Sequence, residues 1–320
     1  MAPTTPRVAA VVVNWNGADD TIRCLGSLAS SADPIWHTYV VDNASTDDSV
    51  DRISAVWPRT NLLVAGRNLG YAGAFNLGCA RALADGAEFI LFLNNDLVVD
   101  PGCVGALLEA EPRIQAAILS PKILYLDRPG TIWYAGGYFD WDLESHHLGQ
   151  DEPDDGRFDF AHPIEWATGC ALFFSALVAR RVGGMDERYF LYLEDVDWSL
   201  RARRRGIALH FVPAARVHHA VSRSVDRLER PALRYYAWRN WYLLVREHGD
   251  WLQRAYAWAD LATRFVKIAT RNTLCPAYRR DPLYRARTRA LRDVVAGRFG
   301  EYAEGQSRSV AVERGEEVVR

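Results

Sequence analysis

The first hundred residues alternate short β-branched runs with stretches of helical periodicity, and this alternation constrains the fold more than any other feature. VAAVVV (residues 8–13), TYVVD (38–42) and FILFLN (89–94) predict buried strands. The segments between them predict helices at about residues 20–30, 49–56 and 73–85, with a short strand at 62–65. Alternating strands and helices are typical of a mainly parallel, Rossmann-like sheet flanked by helices, so the sequence predicts an α/β fold.

Polar residues follow each predicted strand. Asn14, Asp42 and Asn68 come after the first three strands, and Asn94 to Asp96 come after the fourth. In open α/β sheets, ligands bind outside the carboxyl ends of the strands. We therefore expect these side chains to line one crevice.

Composition and charge exclude several classes of protein. The 320 residues are 49% hydrophobic, which suits one sizeable domain with an appended segment, or two small domains. A formal net charge of −2 argues against a nucleic-acid-binding surface, so an anionic partner must be bound locally. Five widely spaced cysteines favour a reducing compartment without disulfides or zinc. We find no apolar stretch of the ~20 residues that a spanning helix needs and no secretory signal, so we expect a cytoplasmic protein.

The pattern changes along the chain and predicts three parts. Residues 1–230 carry the α/β pattern, with a nucleotide half at about 1–120 and an acceptor half, rich in aromatic residues and glycine, at about 121–230. Residues 231–300 are predicted to be a C-terminal helical segment, and 301–320 a flexible tail because periodicity is lost there.

The motif LNNDL at residues 93–97 delivers two amides and a carboxylate into the predicted crevice. Magnesium and manganese prefer oxygen ligands, often one or two carboxylates with substrate phosphates, so Asp96 is a candidate ligand for Mg²⁺ or Mn²⁺. The alternative is that Asp96 caps the helix predicted to begin near Pro101 or Gly102. Of the later histidines, His218 and His219, one would complete the metal site begun by Asp96.

Two further motifs are suited to a nucleotide. A carboxylate at Asp42 can accept a hydrogen bond from the ring N–H of uracil or thymine, although a simple turn explains it as well. RNLGYAGAFNLG (residues 67–78) opens a helix whose N-terminus favours an anion such as the donor phosphates, whereas tight helix–sheet packing is the alternative for its glycines.

Three carboxylates within four positions begin the helix predicted after FLYL: Glu194, Asp195 and Asp197. Some of them are explained by the helix dipole, but three exceed what capping requires. Asp195 is our candidate general base for deprotonating an acceptor hydroxyl. Arg201 is predicted to contact either phosphate or surface acids.

Aromatic and basic residues suggest where an acceptor binds. Trp133, Tyr134, Trp166 and Trp198 are candidates for stacking on a sugar, with core packing as the alternative. The segment 262–292 carries nine Arg and Lys residues opposed only by Asp281. Such basic helices rest on anionic lipid in some proteins, and a solvated face or a homodimer surface are the alternatives.

In their order along the chain, these motifs resemble the inverting family 2 glycosyltransferases, in particular the rhamnosyltransferase-like branch. The resemblance spans about residues 8–248. It is carried by VVVNWNG, VVDNASTDDS, NLGYAGAFN, LNND, WATGCA, VGGMDERYFLYLEDVDWSLR, VHHAVSRS and YYAWRNWYLLVREH.

The resemblance implies a GT-A fold, a nucleoside-diphosphate sugar donor, a divalent metal and transfer to a glycan or lipid-linked acceptor. It places the pyrimidine at Asp42, the metal at Asp96 and His219, and the base at Asp195 beside Glu194; Asn94 stands where the family often has Asp and is a ribose contact at most. It favours dTDP-rhamnose over UDP- and GDP-sugars. The expected donor-binding residues are Asn14, Asn16, Asp42, Asn68, Gly70, Asn94, Asn95 and Arg201.

Two other classes compete with a transferase. A non-catalytic nucleotide-sugar or carbohydrate-binding protein of the same fold would not need Asp96, Asp195 and His219 together. A nucleotidyltransferase normally has a glycine-rich, basic phosphate loop after its first strand, and NWNGADD at residues 14–20 is not such a loop.

Overall fold

A computed structural model describes residues 5–111, 116–220, 230–274 and 276–302. The strands are β1 (Val8–Asn14), β2 (His37–Asp42), β3 (Asn61–Val64), β4 (Phe89–Asn94), β5 (Leu97–Val99), β6 (Ile118–Tyr125), β7 (Ile132–Tyr134), β8 (Gly137–Phe139), β9 (Ser145–His147), β10 (His162–Pro163), β11 (Ala171–Ser175) and β12 (Leu209–His219). The helices are α1 (Ala18–Ala29), α2 (Ser49–Val56), α3 (Gly70–Ala84), α4 (Cys103–Ala110), α5 (Ala176–Val182), α6 (Glu194–Arg204), α7 (Arg230–His248), α8 (Trp251–Leu274) and α9 (Pro282–Val295), with a 3₁₀ helix at Pro276–Arg280.

The central sheet has the strand order β10-β12-β6-β11-β4-β1-β2-β3, with β5 added to β12 and β7 to β6. Strands β3, β2, β1 and β4 run parallel, and so do β6 and β12, whereas β11 is antiparallel to β4 and β6. The predicted mainly parallel α/β fold is therefore confirmed. Polar ends of β1, β2 and β4 lie at one edge because parallel strands finish together.

Helices cover both faces of the sheet, as the burial of β1 and the close packing of α3 at one glycine show. Residues 8–12 of β1 are completely buried, as expected for a strand with helices on both faces. At Gly78 of α3, a Cβ would lie 2.4 Å from Cγ1 of Val11. Tight helix–sheet packing, the alternative offered for the glycines of residues 67–78, therefore explains Gly78.

Strand β12 is longer than the sequence predicts. We expected a strand at residues 209–212 followed by a turn at Pro213, but the strand continues to His219 through a register shift between Val212 and Arg216. Proline is tolerated within sheets at such bulges because it has no N–H to donate. As a consequence, His219 pairs with Leu97 of β5, next to Asp96.

The C-terminal helices pack on the α/β unit. Cluster residues of α7, α8 and α9 include Tyr242, Leu261 and Leu291, so the predicted helical segment is present. Of the predicted tail, residues 303–320 lie outside the described part, while Tyr302 donates its N–H to the Tyr236 hydroxyl at 2.6 Å. Among the described helices, none has the length and apolar character required to cross a membrane.

Candidate active site

A cavity of about 450 Å³ opens at the carboxyl ends of the central strands. It contains ten of the residues singled out from the sequence: Asn68, Gly70, Asn94, Asn95, Asp96, Trp133, Trp166, Glu194, Asp195 and His219. These come from both predicted halves of the α/β part. Of the strand-end residues expected to line one crevice, Asn68 and Asn94 to Asp96 line this cavity, whereas Asn14 and Asp42 do not.

Asp96 and His219 form the part of the cavity best suited to a cation. Asp96 is buried, and its Oδ1 lies 3.2 Å from Nε2 of His219 and makes no hydrogen bond to any residue that the structure describes. Neighbouring ligand atoms of an octahedral ion, each about 2.1 Å from it, lie about 3 Å apart. A carboxylate oxygen and an imidazole nitrogen at this separation therefore fit Mg²⁺ or Mn²⁺. Nδ1 of His219 has no hydrogen-bond partner within the described ranges.

Backbone hydrogen bonds hold Asp96 and His219 side by side. The alternative that Asp96 caps a helix is wrong. The N–H of Ala220 donates to the carbonyl of Asp96 at 2.9 Å, continuing the β5–β12 ladder past both side chains. Helix α4 begins only at Cys103, with Gly102 at its cap and no capping side chain. Asp96 therefore does not cap a helix. The neighbouring His218 contacts Asp100 instead, with Nε2 3.1 Å from Oδ1.

Several of the expected donor-binding residues belong to a hydrogen-bonded network at the carboxyl ends of β1 and β2. Asn14 donates to Oδ2 of Asp42 at 2.7 Å, and the N–H of Ser45 donates to Oδ1 of Asp42 at 2.9 Å. Asp42 is fully buried and does not line the cavity, and its bond to Ser45 is the turn that the sequence offered as an alternative. Asn16, in a left-handed conformation, accepts a hydrogen bond from the N–H of Thr46.

Two more amides show how the strand ends are held in place. Asn95 lines the cavity, but its Nδ2 donates to the Thr21 hydroxyl at 3.0 Å and so ties β4 to α1. Asn68 accepts hydrogen bonds from the N–H of Gly70 at 2.8 Å and from Nδ2 of Asn43 at 3.0 Å. Asn43, which also lines the cavity, was missed, although it directly follows Asp42 in the sequence.

Tyr71 connects the two halves of the cavity, a role that the sequence does not predict. Its hydroxyl lies 2.7 Å from Oδ1 of Asn94 and 2.6 Å from the carbonyl oxygen of Gly169. A phenol has one hydrogen to donate, so only one of the two acceptors receives it at a time. Burial chiefly, with Cys170, Glu194 and other acidic neighbours, raises the pKa of Tyr71 well above its usual value, so the hydroxyl stays protonated.

Glu194 and Asp195 begin α6 at the wall of the cavity. Asp195 accepts hydrogen bonds from the N–H of Gly169 at 2.7 Å and of Val196 at 2.8 Å. Burial raises the pKa of Asp195, and these two N–H groups oppose that rise. Burial, and then the charge of Asp195, raise the pKa of Glu194 well above the ordinary range. Oε2 of Glu194 is buried without a hydrogen-bond partner in the part that the structure describes.

The segment preceding Glu194 is conformationally strained. Phe190, Tyr192 and Leu193 all have positive φ angles, of 63°, 69° and 68°, which non-glycine residues seldom adopt. Such strain persists only where surrounding contacts enforce it, and it is concentrated at functional sites. The N–H of Tyr71 donates to the carbonyl of Phe190 at 2.6 Å. Gly70, with φ of +72°, allows that approach because a Cβ there would lie 2.5 Å from the same oxygen.

Two fully buried side chains of α7 hold the strained segment from the other side. Nδ2 of Asn240 lies 2.9, 2.8 and 2.7 Å from the carbonyl oxygens of Tyr189, Leu191 and Tyr192. The Arg239 guanidinium donates to the carbonyls of Arg188 and Tyr189. Both residues lie in YYAWRNWYLLVREH, a motif for which the sequence predicts no chemical role.

Two further residues predicted from the sequence, Arg201 and Trp198, are located away from the cavity. Arg201 donates to Asp197 at 2.7 Å and to the carbonyls of Val182 and Gly184, so its guanidinium is occupied in joining α6 to the preceding loop. Trp198 is fully buried, with Nε1 donating to the carbonyl of Gly183. Arg201 therefore does not reach the cavity, where a phosphate contact was expected. Trp198 packs in the core, the alternative to stacking on a sugar.

Of the other three aromatic candidates, two line the cavity and one supports its wall. Trp133 and Trp166 line the cavity, and the Trp133 ring lies 4.6 Å from the His219 ring in an edge-on contact. Tyr134 is fully buried and donates its hydroxyl to the carbonyl of Trp166 at 2.9 Å, so it supports the wall without lining it. His147 also lines the cavity, and burial lowers its pKa to about 4.

The cavity is anionic. Asp96, Glu194 and Asp195 line it, while no Lys or Arg does so among the residues that are described. A diphosphate placed among these carboxylates would be repelled unless a cation lay between them.

Comparison with known proteins gives the family. Residues 9–176 match the family model described as Glycosyl transferase family 2, so the chain belongs to that family and the protein is a glycosyltransferase.

Among its relatives, the chain is 28% identical over 317 residues to the N-acetylglucosaminyl-diphospho-decaprenol L-rhamnosyltransferase of Mycobacterium tuberculosis, covering 92% of this chain and 99% of that protein. It is 26% identical over 249 residues to the dTDP-rhamnosyl transferase RfbF of Shigella flexneri, covering 75% and 80%. The resemblance to the rhamnosyltransferase-like branch is thus confirmed.

The fold is similar to solved glycosyltransferases. A mannosyltransferase from Pyrobaculum calidifontis in complex with GDP-Man and Mn²⁺ matches with a TM-score of 0.52 and 15% identity, over 92% of this chain and 88% of that one. GalNAc-T7 with UDP, GalNAc and Mn²⁺ matches with a TM-score of 0.56 and 17% identity, over 68% and 44%. The predicted GT-A fold is confirmed.

Proposed function

We propose that the protein is an inverting, divalent-metal-dependent rhamnosyltransferase that uses dTDP-rhamnose and a lipid-diphosphate-linked sugar as acceptor. The observation that carries the proposal is the presence, in one cavity, of the Asp96–His219 pair and the Asp195 carboxylate. The donor and the acceptor class are taken from the resemblance and from the names of the two rhamnosyltransferase relatives.

The charge of the cavity supports metal dependence. Asp96 and His219 would hold Mg²⁺ or Mn²⁺, which supplies positive charge against the diphosphate of the donor when it is bound. Asn43, Asn68 and the backbone near Gly70 line the same cavity and are suited to the uncharged parts of the nucleotide.

Asp195 is suited to the base role. In the proposed step, the oxygen of an acceptor hydroxyl bonds to the anomeric carbon and its proton passes to the carboxylate of Asp195. The bond from that carbon to the diphosphate oxygen breaks, and dTDP leaves with the bonding electrons. The raised pKa of Asp195 makes its carboxylate a stronger base than an exposed aspartate. Trp133 and Trp166 offer apolar faces for the acceptor sugar.

A transfer assay tests the function. The protein is incubated with Mn²⁺, each of dTDP-rhamnose, UDP- and GDP-sugars, and a short-chain lipid-diphosphate-linked N-acetylglucosamine; a rhamnosylated product of inverted configuration is expected from dTDP-rhamnose. Asp195→Asn should reduce kcat by about 10³-fold or more and leave the donor Kd within about twofold. Asp47→Asn, at an exposed position outside the cavity, is the control. Donor binding without turnover of any sugar would favour the non-catalytic alternative.

Helix α8 supports contact with an anionic membrane surface. Its outer face exposes Trp251, Trp258 and Val266 by 75%, 63% and 66%, with alanines between them. The helix contains one acidic residue, Asp260, which is paired with Arg264. A long apolar face with interfacial tryptophans and flanking cations is typical of helices that lie in the lipid headgroup region.

We propose this membrane contact in preference to a homodimer through the same face. A symmetric contact between two copies would bring the flanking cations Arg254, Lys267 and Arg271 of one copy close to the same set of cations on the other, whereas anionic headgroups complement them.

Vesicle co-sedimentation tests the contact. The protein should bind phosphatidylglycerol vesicles but not phosphatidylcholine vesicles, and the double variant Trp251→Glu/Trp258→Glu should bind at least about tenfold more weakly. Val56→Glu, an exposed apolar position on α2, is the control. Unchanged sedimentation of the double variant would contradict the proposal, as would a wild-type dimer that the same two substitutions dissociate.

A further inference from the structure

A second cavity, of about 530 Å³, adjoins the catalytic one. It lies between residues 142–145 and helices α7 and α8, and it shares Ser145, Tyr192 and Leu193 with the catalytic cavity. Leu193 immediately precedes Glu194. A molecule bound in the catalytic cavity can therefore extend across this shared edge into the second cavity.

The second cavity has two chemically different ends. Asp142 and Glu144 line it near the start of α8, where Trp141 contacts the ring of Tyr256 at 4.9 Å. Arg264 lines it eight residues further along α8 than Tyr256, a distance of about 12 Å at 1.5 Å per residue. Asp142 and Glu144 thus lie at the opposite end of the cavity from Arg264, which is paired there with Asp260, another charged residue of the lining.

The basic end contains an unusual concentration of guanidinium groups. Those of Arg264 and Arg287 lie 4.3 and 4.5 Å from the centre of the Trp238 ring. Arg234 also lines this cavity. Burial first, and then the charges of Arg234, Arg264 and Arg271, lower the pKa of Arg287.

Few carboxylates in the described ranges balance this cluster. Asp260 is the one carboxylate within ion-pair distance of any of these four arginines in the described ranges, and it pairs with Arg264. Nε of Arg287 is buried without a hydrogen-bond partner there. Clustered like charges destabilise a fold unless an anion binds among them, and planar guanidinium groups are well matched to phosphate oxygens.

We propose that the basic end of the second cavity binds the diphosphate of the acceptor, with Arg234 and Arg264 as its direct contacts. This inference rests on the proposed transfer to a lipid-diphosphate-linked sugar. It places the acceptor sugar in the catalytic cavity, beside Asp195, and the diphosphate beyond Tyr192, on the side of the membrane-facing helix α8. Trp238 acts as a positioning residue because its ring carries the guanidinium of Arg264.

A binding measurement tests the subsite without requiring catalysis. Calorimetry is performed with a short alkyl diphosphate and with the corresponding alkyl monophosphate. The diphosphate should bind the wild-type protein at least tenfold more tightly than the monophosphate, and Arg234→Gln should weaken diphosphate binding about tenfold, which is about 1.4 kcal/mol. Arg59→Gln, at an exposed position that lines neither cavity and lies outside α8, is the matched control.

Two outcomes would overturn the subsite. Equal affinity for monophosphate and diphosphate would indicate a site for lipid headgroups in general, and equal loss in Arg234→Gln and Arg59→Gln would indicate non-specific attraction. Arg234 is exposed and has no ion pair with a described residue, so its substitution should leave the fold intact.

Kinetics separate this inference from the proposed function. With dTDP-rhamnose saturating, Arg234→Gln should raise the KM for a diphosphate-linked acceptor about tenfold, with kcat and the KM for a neutral alkyl glycoside unchanged. Equal KM increases for both acceptors would contradict the subsite. Arg234-dependent binding of the alkyl diphosphate without transfer of any sugar would instead retain the subsite and remove the transferase proposal.

Discussion

The side-chain amide of Asn240 lies 2.7 Å from the carbonyl oxygen of Tyr192, two residues before Glu194. Through this contact and those to Tyr189 and Leu191, a helix outside the α/β sheet fixes the backbone that leads into the acidic pair. The segment has positive φ angles at three non-glycine residues, so it depends on such contacts to keep its conformation.

Removal of the Asn240 amide is expected to affect both stability and turnover. Asn240→Ala leaves buried carbonyls unpaired at a cost of about 1–3 kcal/mol each, so unfolding in urea should show a loss of at least about 2 kcal/mol. The kcat should fall because Glu194 and Asp195 lose their fixed position. Asn61→Ala, which removes one bond from Asn61 to the Thr38 carbonyl at 3.2 Å, is the control. A stable, fully active Asn240→Ala variant would show that the segment is held without the amide.

The pH dependence of turnover should report the raised pKa of Asp195. A base must be deprotonated to accept a proton, so kcat/KM should fall as the pH is lowered through the pKa of the Glu194–Asp195 pair. Burial places the midpoint of this acidic limb above the ordinary aspartate value of 3.8. Stopped assays between pH 4 and 8, with metal and donor saturating, measure it. An acidic limb at or below the ordinary value would argue against a buried carboxylate as the base.

Glu194 is expected to lower stability at neutral pH. Its pKa is raised in the folded state by burial and by Asp195, so its contribution to stability is greatest below the unfolded value of 4.5 and is lost as the pH rises through the folded pKa. Glu194→Gln has no such loss and should melt higher than wild type at pH 8, by about 2–4 °C for each kcal/mol relieved.

The comparison is made by thermal unfolding from pH 4 to pH 8, and the advantage of Glu194→Gln should shrink toward acidic pH. Glu109→Gln, at an exposed position on α4, should match the wild type throughout. A Glu194→Gln variant that melts lower than the wild type at pH 8 would mean that the charge of Glu194 is stabilised by a partner.

Metal removal should affect donor binding through Asp96 and His219. Mn²⁺ with dTDP should raise the melting temperature of the wild type, because a ligand at 100 times its Kd stabilises the folded state by about 2.7 kcal/mol. EDTA, Asp96→Ala and His219→Ala should each abolish most of this rise. His218→Ala is the control because His218 contacts Asp100. An equal rise in His218→Ala and His219→Ala would remove His219 from the metal site.

Individual helices and strands could be predicted from the sequence because hydrophobic periodicity is a property of neighbouring residues. Helix α2 and strand β4 have the predicted bounds, and the polar ends of the parallel strands come together as the α/β pattern requires. The extension of β12 was missed because Pro213 reads as a turn, whereas tertiary pairing with β6 accommodates it as a bulge. That pairing, between strands far apart in sequence, carries His219 to Asp96.

The assignments of individual side chains were less predictable, since burial and long-range partners decide them. Arg201 follows the acidic pair in sequence, yet its guanidinium is occupied by Asp197 and two carbonyls. The sequence offers no signal that separates Trp133 from Trp198 as candidates for stacking on a sugar. Of these two, Trp133 lines the cavity and Trp198 does not. Tyr71 belonged to a quoted motif, and its bridging role depends on Gly169, 98 positions away.

The contacts of Arg239 and Asn240 limit where two members of the family can be joined in a chimeric protein. A junction at residue 230, where the sequence divides the α/β region from the helices, would separate these side chains from the carbonyls of residues 188–192. A chimera built at that junction would combine a catalytic segment from one parent with a helix shaped for another. Residues 186–195 and 235–240 therefore need to be inherited together, as one recombination block.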